Sequence, residues 1–423
     1  MRRNLTEGGV FKNVLLFSLP YLLSYFLQTL YGMADLFIVG QFEGVASTTA
    51  VSIGSQVMHM LTVMIVGLAM GSTVSIGQAV GGGREKRAAR SIGNTATLFM
   101  SLSVLLMAGL LLLVRPIVRV MSTPEAAVSG AEAYLTICFI GIPFITAYNI
   151  ISSIFRGLGD SKSTMYFIAV ACAVNIALDY LFMGALHLGS AGAALGTTLS
   201  QAVSVAVSLI VIRKRNIGVP VALQDGLIQV AFIVITIIAN QRGLTDAAAV
   251  GIVEKVISFL FLVPSSMLST VSALGAQNIG AGKPERAVRT LGYACLLAAG
   301  FGLTVAAALQ FVAEGIVGLF TTDSGAIAAG GQYLRGYIWD CLFAGLHFSF
   351  SGYFCACGKS GLSFLHNIIA IALVRVPGVY LTSRLFPETL LPMGLATAAG
   401  SLLSVVICVV AFAALRRREA AHG

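Results

Sequence analysis

A chain of 423 residues that is 57% hydrophobic and only 10% charged is not a soluble domain, in which charged residues make up about a quarter. Its mean hydropathy of +0.92 comes from apolar blocks of about 20 residues or more, each long enough to cross ~30 Å of hydrocarbon as a helix. The net charge of +9 does not signal nucleic acid, because the basic residues sit at Arg2, Arg3 and Lys12, at Arg84, Lys86, Arg87 and Arg90, at Arg156 and Lys162, at Arg213 to Arg215, at Lys283, Arg286 and Arg289, at Lys359, and at Arg416 to Arg418.

Those clusters fall on every second connection between apolar runs, and the intervening connections hold only Arg115, Arg119, Arg242 and Arg384. This is the positive-inside pattern, and it places both termini in the cytoplasm with an even number of spans, in a cell inner membrane. In chain order, helices are expected near 11–40, 46–80, 88–114, 131–156, 162–186 and 191–212, then near 217–241, 247–279, 286–313, 326–356, 363–385 and 391–415. The first run is too long for the apolar core of a signal peptide and lacks a small-residue cleavage site, so it reads as a retained helix. Pro20 and Pro220 stand at matching points of helices one and seven, where proline removes a backbone bond and bends the helix; Pro20 is a candidate hinge. Spacings such as Gly67 to Gly71, Gly77 to Gly81 and Gly192 to Gly196 read as close helix packing in lipid. The seven cysteines lack metal-type spacing and are expected to be free thiols, and no cofactor is implied.

Gln78 to Gly93, QAVGGGREKRAARSIG, returns as Gln277 to Gly292, QNIGAGKPERAVRTLG, at a shift of 199 residues without a gap. The same shift pairs Tyr134 and Leu135 with Tyr333 and Leu334, and Phe155 and Gly159 with Phe354 and Gly358. The expected architecture is therefore a direct repeat: an all-α polytopic membrane protein of twelve transmembrane helices. It forms two six-helix lobes, 1–213 and 214–423, related by a pseudo-two-fold axis along the membrane normal, with the transport path between them.

An ionised side chain at mid-membrane costs about 3 kcal/mol or more, so each is a functional candidate. They are Asp35, Asp179, Glu254, Lys255, Asp340 and Arg375, with Asp225 and Arg335 nearer helix ends. In the first lobe Asn175 and Asp179 are four apart on helix five and share a face; Asp35 is on helix one and Thr197 on helix six. No Lys or Arg is expected inside the spans of this lobe, so two acids face each other's field without a fixed counter-charge. Low dielectric and a like neighbour both favour the protonated acid, and carboxylate, amide and hydroxyl oxygens equally suit a hard cation such as Na+. The set reads as a coupling-ion site for Na+ or H+; the plainer alternative is a network that only locks helices together. In the second lobe, Glu254 and Asp340 have Lys255 and Arg375 to pair with, and internal ion pairs are the preferred reading, with a second ion site as the runner-up. Tyr31, Met33, Phe37, Met60, Met64 and Phe261 are candidates to line a cleft for a flat organic cation through cation–π contact. His59, His187, His347 and His366 are scattered along the sequence and carry no assigned role.

The paired loops GGGREKRAAR and GAGKPERAVR, ADLFIVG after a proline-bearing first helix, FRGLGDSK after helix four, and ALQDGLIQVAF with VEKVISFLFLVPSSMLS together resemble the multidrug and toxic compound extrusion (MATE) transporters, and most closely the DinF-like branch. The resemblance covers almost the whole chain. It implies a V-shaped pair of lobes that exports bulky cationic amphipathic compounds in exchange for Na+ or H+, by alternating access and as a monomer. It also implies that Asp35, Asn175, Asp179, Thr197 and Tyr134 bind the ion. Asp340 matches the helix-ten acid of the NorM-like branch, but that branch's partner Glu on helix seven is missing around Leu227 to Gln229. The connection Arg213 to Pro220 is shorter than is usual in the family. A lipid-linked oligosaccharide flippase of related fold is the alternative, and the row of basic residues it would need in the first lobe is missing. An intramembrane enzyme would need a His-Glu-x-x-His or Gly-x-Ser-x-Gly motif, and the chain has neither.

Overall fold

The computed structural model of the chain describes residues 5–215, 235, 238, 242 and 244–422. The helices are α1 (Val10–Phe42), α2 (Val45–Gly81), α3 (Glu85–Val120), α4 (Glu125–Ile140), α5 (Ile142–Gly157), α6 (Ser161–Asp179) and α7 (Gly189–Arg215). After them come α8 (Leu244–Leu260), α9 (Leu262–Gly280), α10 (Pro284–Gly318), α11 (Ser324–Tyr337), α12 (Trp339–Ala356), α13 (Ser360–Ala370), α14 (Val376–Leu385) and α15 (Leu391–His422). Two π-helical turns interrupt the series, Tyr180–Ala185 after α6 and Ile371–Arg375 between α13 and α14. Eleven of the twelve expected spans appear among the described residues. The seventh, 217–241, lies largely outside them, as do Pro220, Asp225 and the short connection before them.

The repeat is visible in the backbone. Helices α2 and α8 begin at residues 45 and 244, α3 and α10 at 85 and 284, α4 and α11 at 125 and 324, and α6 and α13 at 161 and 360, each pair 199 residues apart. Gly83 and Gly282 both take the left-handed backbone conformation, at φ 68° and 71°, where side chains with a Cβ are disfavoured. Arg84 N donates to Ala79 O (2.8 Å) and Lys283 N to Asn278 O (2.8 Å), so the same turn closes both copies. FRGLGDSK is a second such device. Gly159 (φ 82°) ends α5, and Asp160 caps α6 by accepting from Ser163 N (3.0 Å) and Ser163 Oγ (2.8 Å).

Three expected single spans are broken. The fourth bends by 51° at Gly141, where Pro143 opens the next helix. The eighth breaks at Phe261 and the tenth at Ile338. The third helix of each copy turns apolar side chains outward, Leu112 at 83% exposure and its repeat mate Phe311 at 87%, as a lipid-facing surface requires.

The chain forms two compact units, one holding Leu19–Gly226 and the other Leu5–Ser18 with Leu227–Gly423. A division at 213/214 would instead leave Leu5–Ser18 with the amino-terminal half. In the first unit, α2 packs on α4 and α5, and α7 packs on α4, α5 and α6. In the second unit, α9, α10 and α15 surround α12, and the amino-terminal segment is fastened to α9 and α10. Lys283 Nζ donates to Thr6 O (3.1 Å), Arg286 Nη2 to Gly8 O (3.0 Å) and Ser266 Oγ to Ser18 O (2.9 Å).

Within the second unit α11 and α15 meet at glycine. A Cβ on Gly336 would stand 2.5 Å from Leu391 O, and one on Gly394 2.5 Å from Tyr333 O. Both neighbours are backbone and cannot yield without moving a helix, so Gly394→Val is expected to cost about 3 kcal/mol. Thermal unfolding in detergent checks this. Gly361→Val, at a position with open space around it, is expected to unfold close to wild type.

Candidate functional site

Asp35 on α1, Asn175 and Asp179 on α6, and Thr197 on α7 come together inside the first unit, as expected from the sequence. Asp35 is 3% exposed, Asn175 1% and Asp179 0%. Thr197 Oγ1 donates to Asp35 Oδ2 (3.2 Å), and the Asp35 carboxyl lies within interaction range of Asp179 and Asn175. The shared face of α6 brings Asn175 and Asp179 to α1, and the turn of α7 that follows Gly196 brings Thr197.

Most of the polar atoms in this cluster have no hydrogen-bond partner among the described residues: Asp35 Oδ1, both oxygens of Asp179 and both amide atoms of Asn175. Buried polar atoms are normally paired, and unpaired ones in hydrocarbon cost several kcal/mol. Here they converge, and neither carboxylate has an ion pair with Lys or Arg among the described residues. Arg156, at the end of α5, is buried in this unit too, but it bonds Ser153 Oγ (2.6 Å) rather than either acid. Carboxylate, amide and hydroxyl oxygens with nothing to neutralise them form a donor set that one hard cation, or one proton, would complete.

Tyr134 on α4 is buried and lies within electrostatic reach of Asp35, but its hydroxyl shares a hydrogen bond with Ser55 Oγ on α2 (3.2 Å). Gly54 makes the seat, because a Cβ there would overlap the Tyr134 ring. Gly196 does the same for Asp179, since a Cβ at Gly196 would overlap Asp179 Oδ1. The Gly192 to Gly196 spacing, read from sequence as packing, therefore opens room for the acid itself. Periodicity does not show Ser55, Gly54 and Gly196 to be part of the site; the spacing of Gly192 and Gly196 is the one visible signal. The π-helical turn Tyr180–Ala185 starts directly after Asp179, and such turns gather at functional positions.

Pro20 stands inside a continuous α1, two residues after the point where the chain passes from one unit to the other, and its carbonyl accepts from Ser24 Oγ (2.7 Å). In the second unit, Arg375 Nη2 donates to Asp340 Oδ2 (3.0 Å) with both side chains buried, the ion pair expected there. Lys255 is exposed and Glu254 half-buried. Of the cleft candidates, Met33, Phe37 and Met64 are exposed, and Tyr31, Met60 and Phe261 are half-buried. Phe261 lines a small cavity with His347, Asn367 and Arg375. His347 and His366 are not scattered: their rings stack edge-on at 5.5 Å, and His366 bridges Ser351 Oγ (2.8 Å) and Ser404 Oγ (3.2 Å).

The chain matches the profile of the MatE family over residues 20–181 and 220–381, which is most of its length and both copies of the repeat. It is 28% identical over 392 residues to the probable multidrug resistance protein YpnP of Bacillus subtilis, covering 88% of each chain. It is 24% identical over 418 residues to the multidrug export protein MepA of Staphylococcus aureus, covering 90% of this chain and 89% of that one. A multidrug resistance MATE family transporter of the MOP superfamily, solved in an outward-facing conformation, superposes with a TM-score of 0.87 at 22% identity, over 99% of this chain and 97% of the other. With helices, repeat and buried acids in place, the chain belongs to the MatE family and is a multi-pass membrane transporter, not an enzyme.

Proposed function

We propose that the protein is a secondary antiporter of the inner membrane, with both termini in the cytoplasm, that works as a monomer. It exports cationic amphipathic organic compounds in exchange for Na+ or H+ by alternating access. The observation that carries this reading is the group of buried, unpaired oxygens at Asp35, Asn175 and Asp179, with Thr197 beside them and no basic side chain among the described residues to neutralise them.

Two carboxylates sharing a buried site repel each other when both are ionised. Two unit charges about 4 Å apart at an effective dielectric of about 20 interact by about 4 kcal/mol. A bound cation or proton removes most of that, enough to shift a two-state equilibrium by nearly a thousandfold. Ion and cargo then exclude each other if they prefer different states, because a ligand moves an equilibrium only by its differential affinity. Pro20, where α1 has lost a backbone bond, is the place for α1 to bend as the site fills, with Tyr134 and Tyr31 bordering the acid.

Efflux of an ethidium-like dye from vesicles under an imposed Na+ gradient, then under an imposed pH gradient, tests the reading. Uphill efflux is expected with one gradient or both, and with neither after collapse by ionophore. Dye movement that ignores both gradients, or that follows only its own concentration, would leave a passive pathway in place of an antiporter.

A further inference from the structure

The shift of 199 residues that relates the starts of α6 and α13 carries Asn175 and Asp179 onto Val374 and Gly378, so the amide and the acid that α6 supplies in the first unit have apolar counterparts in the second. The tyrosine survives, Tyr134 as Tyr333, and it borders a charged centre again. Arg375 Nη2 donates to Asp340 Oδ2 (3.0 Å) and to Tyr337 OH (2.9 Å), its guanidinium lies 5.8 Å from the Tyr337 ring centre, and Tyr333 stacks on Tyr337 at 5.4 Å. The two centres are also built alike. One π-helical turn begins after Asp179 and the other ends at Arg375. Gly196 on α7 leaves room for Asp179, and Gly400 on α15 leaves room for Arg375, whose Cβ would be 2.8 Å from a Cβ at position 400.

We infer that Arg375 is a tethered cation: it permanently supplies to Asp340 the positive charge that a mobile ion supplies to the acids of the first unit, and so holds the transporter to a single ion site per cycle. The count of ions per cycle rests on the antiport reading above; the masking of Asp340 does not. A guanidinium keeps its proton at any physiological pH, and removing one partner of a buried pair leaves the other charge uncompensated. No ion gradient of ordinary size can therefore discharge this centre, whereas the first-unit acids can fill and empty. The groups facing the pair are Tyr337 and Tyr333 on α11, Glu254 on α8, whose field reaches both tyrosines, and His347 on α12 with His366 on α13. A cavity beside the pair is lined by His347, Asn367, Arg375, Ser401 and Ser404, and His347 Nδ1 has no hydrogen-bond partner among the described residues. Shortening Arg375 would leave Asp340 with hydroxyl and amide oxygens at hand, a latent site for Na+ or a proton.

The test uses the full chain carrying Asp35→Asn and Asp179→Asn, which removes the first-unit acids. Its melting temperature in detergent is expected to be indifferent to Na+, against choline at equal ionic strength, and to have no acid-dependent rise. Adding Arg375→Gln is expected to make the melting temperature climb with Na+ or with falling pH, and adding Asp340→Asn on top to flatten it again. A folded Arg375→Gln protein that responds to neither ion overturns the inference. Should that variant fail to fold, Asp340→Leu with Arg375→Leu in the otherwise native chain decides. It is expected to fold and to export dye with an unchanged ratio of ions to cargo, and loss of efflux by this folded, neutral pair overturns the inference too. These melting curves are recorded without the Asp35 and Asp179 carboxylates, so their failure counts against Arg375 alone, whereas dye movement by the native chain that ignores both gradients counts against the antiport reading alone.

Discussion

Asp35→Asn and Asp179→Asn, each made singly, are expected to abolish ion-driven uphill efflux while the protein stays folded. Asparagine keeps the shape and an oxygen ligand, but it removes the charge that makes filling the site matter. With one acid neutral, the repulsion of about 4 kcal/mol that ion binding would relieve is already gone, and at about 1.4 kcal/mol per tenfold the ion loses most of a thousandfold lever on the conformational equilibrium. Stability should hold or rise, because each change removes a buried, uncompensated charge rather than a partner of one. Melting temperature and dye efflux measured on the same preparations separate the two effects. Full gradient-driven efflux by either variant at normal expression would show that the cluster is a structural network and not the coupling site.

Much of this molecule could be read from the residues. Helix starts expected near 46 and 247, 88 and 286, and 162 and 363 fall at 45 and 244, 85 and 284, and 161 and 360, each pair 199 apart, because turns are set by local chemistry that the repeat preserves, left-handed glycine at 83 and 282 above all. Asp35, Asn175, Asp179 and Thr197 could be found because ionisable groups are rare in hydrocarbon and helical spacing puts two of the four on one face. The bend at Gly141 and the breaks at Phe261 and Ile338 left no comparable mark, since an apolar run looks the same whether its helix is straight or broken. Nor did composition show that Leu5–Ser18 is bound into the second unit, because that attachment is made by backbone carbonyls accepting from Lys283, Arg286 and Ser266, and a carbonyl belongs to every residue. His347 and His366 lie 19 positions apart on different helices, and only packing makes them neighbours. The glycines that seat functional side chains escaped for a related reason. In a membrane helix small residues usually serve backbone approach, and nothing in the letters distinguishes a glycine facing a helix from one facing a carboxylate.

That last distinction carries the second large effect. A Cβ added at Gly196 would overlap Asp179 Oδ1, lie 3.3 Å from Asp179 Cγ and reach 3.6 Å from Asn175 Nδ2. The carboxylate is fully buried and cannot swing into water, so Gly196→Ala must displace either Asp179 or the α6–α7 contact. Overpacking of this kind costs about 1–3 kcal/mol, partly offset by about 1 kcal/mol from alanine's better helix propensity. A modest drop in melting temperature is therefore expected. Coupling should fall far more, at least about tenfold in ion-driven efflux, because ion affinity depends on where two oxygens point and each loss of about 1.4 kcal/mol there is a factor of ten. The companion variant Asp179→Gly in the Gly196→Ala background takes away the group that the methyl strikes. It is expected to recover the melting temperature of the parent while staying inactive in transport. If Gly196→Ala loses stability and activity in proportion, and the companion change restores neither, the glycine serves helix packing after all; if stability returns and coupling does not, the missing Cβ at position 196 is there for the acid.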